Sequence, residues 1–315
     1  MTPPDSITIV RAHGRRLAKT IHADGAIDKY GKAKIFDLIV HPIADCAALE
    51  VVLRDLAELH DCAVVRGTPA DPAFVKGVRR LLHRDCDAGD PPTLVEAPHR
   101  WIAIDIDQLS RPDWIKPEDL LGCACVAIRR TLPSEFHQAR FVVQATASHG
   151  LKPGIRLRLW AWLARPVFGA ELKYWFRLSL VDHSIFGANQ VIYTATPVFL
   201  PGAFDPLPKR IDAIPGQDVV SVPPPDQLKP PAPQSRRPRL GGGNGNISGL
   251  IRVVANARPG NRNAILYWAG CRAAEQEGLN QNAAARDLIA AAVAAGLPTR
   301  EASATVESAL RGGRL

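Results

Sequence analysis

The 315-residue sequence contains no stretch approaching 18 uncharged apolar residues, so no membrane-spanning helix is expected. Its first residues, Met-Thr-Pro-Pro-Asp, carry neither a basic segment nor an apolar run, so no secretory signal is expected and the compartment read from the chain is the cytoplasm. Of six cysteines only Cys123 and Cys125 are close, and no CxxC pair occurs. On the helix expected there, residues i and i+2 do not face each other. Structural zinc is therefore not expected, and the cysteines read as reduced core residues. No repeat of solenoid period is present. What the chain does carry is 46% hydrophobic residues, enough for a sizeable core, and a formal net charge of +8 with a pI near 9.4. That balance suits a polyanionic partner, either nucleic acid or a phosphorylated ligand.

Alternating strand and helix patterns fill the first two thirds. Strands are expected over 6–12, 35–40, 61–67, 139–145 and 155–163. Helices are expected over 44–60, 74–84, 117–130 and 168–180. Ser148-His149-Gly150-Leu151-Lys152-Pro153-Gly154 reads as the turn of a β-hairpin. From about residue 216 to 247, proline clusters, Arg236-Arg237-Pro238-Arg239 and Gly241-Gly242-Gly243 indicate a linker, semi-rigid and then flexible. An alanine-rich module follows, with helices expected over 263–278, 281–295 and 299–311. The expected organisation is thus an α/β (α+β) domain over 1–215, a basic linker over 216–247 and a small all-α domain over 248–315.

One run organises the first domain: Arg100-Trp101-Ile102-Ala103-Ile104-Asp105-Ile106-Asp107. Positions i and i+2 of a strand share a side, so Asp105 and Asp107 would project together from the strand's end. Two such anions suit a hard divalent cation; alternatively, the strand ends in a polar turn. Val181-Asp182-His183-Ser184, after the 168–180 helix, offers a third carboxylate, or simply a turn acid. Arg156 and Arg158 alternate with Trp160 and Trp162 along the 155–163 strand. The arginines either cover a sheet face or touch phosphate, and the tryptophans fit the core better than a base-stacking role. Arg66 and Lys209-Arg210 are further phosphate candidates, and the 236–239 arginines could graze a nucleic-acid backbone. Arg262-Asn263 reads as capping and packing.

The order hDhD (Ile104-Asp105-Ile106-Asp107), small-x-His (Ala147-Ser148-His149) and hD (Val181-Asp182) resembles the archaeo-eukaryotic primase superfamily. The likeness is nearest to primases and primase-polymerases of plasmids, phages and other mobile elements. Gln190-Val191-Ile192-Tyr193-Thr194-Ala195-Thr196-Pro197 is similar to that group, and Gly260-Asn261-Arg262-Asn263-Ala264-Ile265-Leu266 resembles the start of its helical C-terminal domain. The resemblance implies a catalytic α/β unit with an RRM-like mixed sheet. It implies Asp105, Asp107 and Asp182 as ligands of two Mg²⁺ or Mn²⁺ ions, and His149, with Ser148 beside it, at the phosphates of an NTP or dNTP. The template would be single-stranded DNA, and the protein would associate with the nucleoid. No P-loop GxxxxGK[ST] is present, so unwinding would come from a separate helicase or replication initiator. Two rival expectations are a non-catalytic initiator or DNA-binding protein that keeps the fold, and a DxD transferase that binds a sugar nucleotide through Mn²⁺.

Overall fold

The computed structural model describes residues 5–85, 88–229, 247–257, 261–275 and 280–312, and the chain divides into two compact units, Met1–Ala232 and Pro233–Leu315. It is mixed α and β, with small antiparallel sheets. No helix among the described residues is long and apolar enough to cross a membrane.

Two sheets carry the first unit. In the smaller, β1 (Asp5–Ala12) lies between β2 (Phe36–Ile43) and β3 (Cys62–Val65), antiparallel to both. Helix α1 (Cys46–Glu58) joins β2 to β3. Asp45 caps it by accepting the Ala48 N–H at 2.8 Å, and Leu49, Val52, Leu53 and Leu56 bury one stripe. The larger sheet begins with β4 (His99–Leu109), followed by α2 (Leu120–Thr131), β5 (Phe141–Ala145), β6 (Ile155–Val167), α3 (Gly169–Trp175) and β7 (Ile211–Ile214). This βαββαβ order is that of an RRM-type unit. The spatial order β7-β5-β6-β4 leaves the first strand at an edge, however, where an RRM-type sheet places it inside. All three ladders are antiparallel, so the sheet is not mixed.

Both faces of β6 are enclosed. Leu157, Leu159, Ala161 and Leu163 are buried on one side and Trp160 and Trp162 on the other, so the tryptophans are core. The strap over residues 190–197 joins the two sheets. Ile192 exchanges backbone hydrogen bonds with Val64 of β3 at 2.7 and 2.9 Å, while the next two carbonyls accept from side chains of the larger sheet, Arg158 and Gln144.

Three expectations change. Residues 74–84 form no helix: Gly77 has φ +64°, and Val75 and Val78 pair by backbone with Leu38 and Phe36, extending the edge of β2. The helix expected to 180 stops at Trp175, and Leu178 and Leu180 are exposed. The first unit also extends past 215. Val220 bonds to the Trp162 carbonyl at 2.8 Å, and Leu228 is 3% exposed within the core. The remainder of the expected linker, 230–246 with its arginine cluster and Gly241-Gly242-Gly243, lies outside the described residues.

The second unit has its own apolar core, built by α4 (Ser248–Ala255), α5 (Arg262–Ala274), α6 (Gln281–Ala294) and α7 (Thr299–Gly312). Its alanines let helices approach closely: a Cβ on Gly270 of α5 would lie 2.6 Å from the Ala309 Cβ of α7. Arg262 donates to the Ala257 and Gly296 carbonyls at 3.4 Å, tying the start of α5 to neighbouring loops.

Candidate active site at the end of the β4 strand

The register of β4 against β6 sets the site. Asp105 stands directly opposite Arg158. Beyond Leu157↔Ile106 the next pair is Ile155↔Leu109, so Asp107 and Gln108 together face Arg156 alone. That two-against-one mismatch is a β-bulge, a device that bends a strand and re-aims side chains at its end. Each carboxylate meets the arginine across from it. Asp105 Oδ1 accepts from Arg158 Nη2 at 3.1 Å, and Asp107 Oδ1 accepts from Arg156 Nη1 at 3.0 Å.

The two pairs differ in setting. The Asp105 and Arg158 side chains are 19% and 9% exposed, whereas Asp107 is 61% exposed beside a 12% exposed Arg156. Burial is the main reason that the Asp105 carboxyl sits above its ordinary pKa. Arg158 opposes the rise, and the negative charges of Asp107 and Asp182 add to it. Arg158 also donates to the Tyr193 carbonyl, and its buried Nε has no partner.

Asp182 arrives from the turn after α3. Its N–H donates to the Asp105 carbonyl at 3.1 Å, which fixes the turn to β4. Phe186 packs on Phe176 at 5.4 Å between ring centres, and Gly169 permits the turn to sit close, since a Cβ there would meet the Phe186 carbonyl oxygen at 2.1 Å. The Asp182 carboxylate caps its own turn, accepting from the Ser184 N–H at 2.8 Å and the Ser184 hydroxyl at 2.9 Å. Among the described residues, no group of three His, Cys, Asp or Glu side chains is gathered as a metal site. The carboxylate-rich donor set suits a hard divalent ion, and each Asp182 oxygen accepts one hydrogen bond within its own cap.

His149 is fully enclosed. Its Nδ1 accepts the Arg156 N–H at 3.2 Å, so Nε2 carries the hydrogen and donates to the Pro117 carbonyl at 2.9 Å. Burial lowers its pKa and keeps the ring neutral. With both nitrogens engaged, His149 faces no phosphate. It holds the hairpin turn that presents Arg156, and Ser148 is buried in the same turn. Arg66 is likewise internal: it donates to the Trp101 and Val167 carbonyls at 2.8 and 2.9 Å and lies over the Trp101 ring. Arg210 grips Asp205 through two bonds of 2.8 and 2.7 Å. Neither arginine is placed to bind phosphate, because Arg66 spends its donors on backbone carbonyls inside the core and Arg210 spends its own on the Asp205 carboxylate.

Three residues that sequence reasoning missed complete the site. Tyr30 and Tyr193 stack in parallel at 3.5 Å, and Lys19 lies 5.1 Å from the Tyr30 ring centre. Burial pushes the Tyr30 hydroxyl up to about 12, with Arg158, Asp105 and Asp107 all within electrostatic reach. Burial and the Lys152 charge lower the Lys19 ammonium, against the pull of Asp107 and Asp105. Tyr193 falls in the strap already singled out in the sequence; Lys19 and Tyr30 come from the β1–β2 connection, whose charge was the available signal. No family model matches the chain, and no curated protein or solved structure matches it either.

Proposed function

We propose that the protein is a primase or primase-polymerase of the archaeo-eukaryotic type, joining NTPs or dNTPs on a single-stranded DNA template in replication of a mobile element. The observation that carries this reading is the doubled cross-strand pair, Asp105 with Arg158 and Asp107 with Arg156, beside the Asp182 turn. Such a site offers anionic ligands and cationic phosphate partners within one constellation. Mg²⁺ or Mn²⁺ would be held by Asp105 and Asp107, each of which uses Oδ1 for its arginine, with Asp182 as the third ligand. When bound, these ions supply charge neutralisation at the reacting phosphate and a lowered pKa for the attacking 3′-hydroxyl. Arg156 and Arg158, released in part from their carboxylates, would take phosphate oxygens. Lys19 adds a third cation, and the Tyr30–Tyr193 stack walls the site against water. His149 acts through Arg156, as a positioning residue. Strand separation falls to a separate helicase or initiator, and the setting is the nucleoid in the cytoplasm.

The test is incubation with labelled NTPs or dNTPs, Mg²⁺ or Mn²⁺, and unprimed single-stranded templates of varied sequence. Products are expected from the wild type, with loss of about 100-fold or more in Asp105→Ala and Asp107→Ala, as for removal of groups that organise the transition state. Folded variants that kept full activity would refute the assignment. A second reading, a DNA-binding protein without catalysis, is favoured by one observation: each strand carboxylate already has an arginine partner. DNA binding with no metal-dependent incorporation would select it. Stabilisation by a nucleotide sugar alone would select the transferase.

A further inference from the structure

The connection between β1 and β2 is more than a loop. Residues 13–34 hold six lysines and arginines against two aspartates, a net charge of +4 within a chain of +8. The segment is built on a rigid footing. Leu17, Ala18 and Ile21 are buried, Thr20–Ile21 pairs with Ile27–Asp28 and Val198–Phe199, and the Leu17 N–H donates to the His60 carbonyl at 2.6 Å. The Gly31 N–H donates to the Arg16 carbonyl at 3.0 Å, and a Cβ at Gly31 would stand 2.8 Å from that oxygen. Arg15, Arg16, Lys29, Lys32 and Lys34 are nonetheless exposed.

A groove of about 630 Å³ opens here, lined by Arg15, Arg16, Lys29, Thr20, Asp28 and His60 among others. Its acids are already matched: Asp28 holds His22 at 2.8 Å, and Asp61 lies 3.6 Å from Arg11. Arg15, Arg16 and Lys29 have no acidic partner among the described residues. The neighbouring cavity of about 540 Å³, beside Lys34, differs. Its Arg79 pairs with Asp85 and Asp90, and its Arg80 donates to the Asn189 carbonyl and covers Phe36. By the same measure the second cavity keeps Lys34 and Arg80 without an acidic partner, against Arg15, Arg16 and Lys29 in the first groove, which holds the larger set. The groove and the carboxylates are linked through packed side chains: Ala18 and Thr20 line the groove, Lys19 between them lies 5.1 Å from the Tyr30 ring centre, Tyr30 stacks on Tyr193 at 3.5 Å, and the Tyr193 carbonyl accepts from the Arg158 that holds Asp105.

We propose that this groove binds the phosphate backbone of a single-stranded nucleic acid and leads it past Lys19 to Asp105 and Asp107. The inference rests on the template-directed reading above and assigns the template path, which the occupied Arg156 and Arg158 do not supply. Cations without an acidic partner, on an ordered scaffold, give up no ion pair when phosphates arrive (Arg16 bonds only to the Thr20 hydroxyl, at 3.3 Å), and each contact releases condensed counterions.

The test is fluorescence anisotropy of a labelled 20-nucleotide strand with the full chain, in EDTA and without nucleotide, over 50 to 300 mM KCl. The triple variant R15E/R16E/K29E is compared with R129E/K116E/K173E, which makes the same charge change at exposed sites elsewhere. In the groove variant affinity should fall about tenfold or more at the lowest salt, and the log–log salt slope should flatten by about 2, from three contacts at about 0.7 each. The remote triple should show less than half of either change. Equal effects of both triples, or an unchanged slope in the groove variant, would overturn the proposal. If R15E/R16E/K29E does not fold, the neutral R15Q/K29Q reads the same slope at two contacts. Binding through the groove with no incorporation under any condition would sink the primase reading alone. Primer synthesis that is indifferent to the groove would sink this inference alone.

Discussion

Asp105 and Arg158 form an ion pair whose two halves should behave oppositely when removed. The Asp105 carboxyl has a raised pKa in spite of the arginine at 3.1 Å, so burial and the charges of Asp107 and Asp182 outweigh the attraction. A carboxyl with a folded pKa above its unfolded value favours folding most when protonated. That advantage is lost as pH climbs from the unfolded value, about 3.9, through the raised folded one. The ionised form of Asp105 therefore costs stability relative to the protonated one. Asp105→Asn removes the charge, retains an acceptor toward Arg158, and should leave the melting temperature unchanged or raised.

Arg158→Met is the contrary case. It leaves Asp105 enclosed and unpaired beside two further acids, and it frees the Tyr193 carbonyl. Breaking a buried pair from one side costs about 3–5 kcal/mol. The partial exposure of Asp105 argues for the lower end, about 3 kcal/mol, or about 6–12 °C in a unit of this size. Differential scanning fluorimetry at pH 7, with nucleotide incorporation measured in parallel, separates the cases. Asp105→Asn should be stable and inactive, and Arg158→Met unstable. Were Asp105→Asn to melt as early as Arg158→Met, the pair would be a net stabilising bridge, and the argument that Asp105 is held at a cost for its chemistry would fail.

Two further outcomes follow from buried polar groups. Arg66→Met leaves the Trp101 and Val167 carbonyls without their donor, so it should destabilise by about 2–4 kcal/mol in urea melts while the folded fraction binds single-stranded DNA as wild type. A selective loss of DNA affinity would return Arg66 to the phosphate-binding set. Asp5, buried but hydrogen-bonded by His99 at 2.8 Å and by the Arg100 and Ser6 N–H groups, has a net lowered pKa. Its contribution is present above the usual carboxyl range and lost as pH falls through the folded value. Asp5→Asn should thus lower stability at pH 7 by about 1–2 kcal/mol and shrink the loss seen between pH 4 and 2, measured by thermal melts at each pH.

What periodicity could read, it read well. The apolar stripe of α1, the β5–β6 hairpin and the alanine-rich helices all express local patterns that tertiary contacts reinforce. The errors lie where tertiary partners decide. Residues 74–84 have helical composition, but the free edge of β2 offers Val75 and Val78 backbone partners, and Gly77 takes a left-handed conformation. The short α4 (Ser248–Ala255) has no separate signature in its alanine-rich surroundings. At the site, Asp105, Asp107, Arg156 and Arg158 were legible because strand alternation fixes their side, and register then pairs them. His149, Arg66 and Arg210 misled because residue type says nothing about enclosure. A histidine in a glycine-flanked turn can as readily tie two backbones together as face solvent.

The cations with the strongest claim on an anionic partner lie in the segment with least periodic structure. A helix or strand buries one face and displays the other, so its charged residues can be placed from spacing alone. The β1–β2 connection has no such rule. Its six cations are placed by two-residue strands, a parallel pairing with Val198–Phe199 more than 170 residues away, and the Tyr30–Tyr193 stack. That stack also ties the segment to the strap whose Tyr193 carbonyl receives Arg158. One ring pair thereby links the groove cations to the partner of Asp105. Replacing Tyr30 or Tyr193 with a small residue would remove the aromatic contact that holds the segment against the strap. The coupling follows from the geometry of the stack, which no reading of either segment alone could supply.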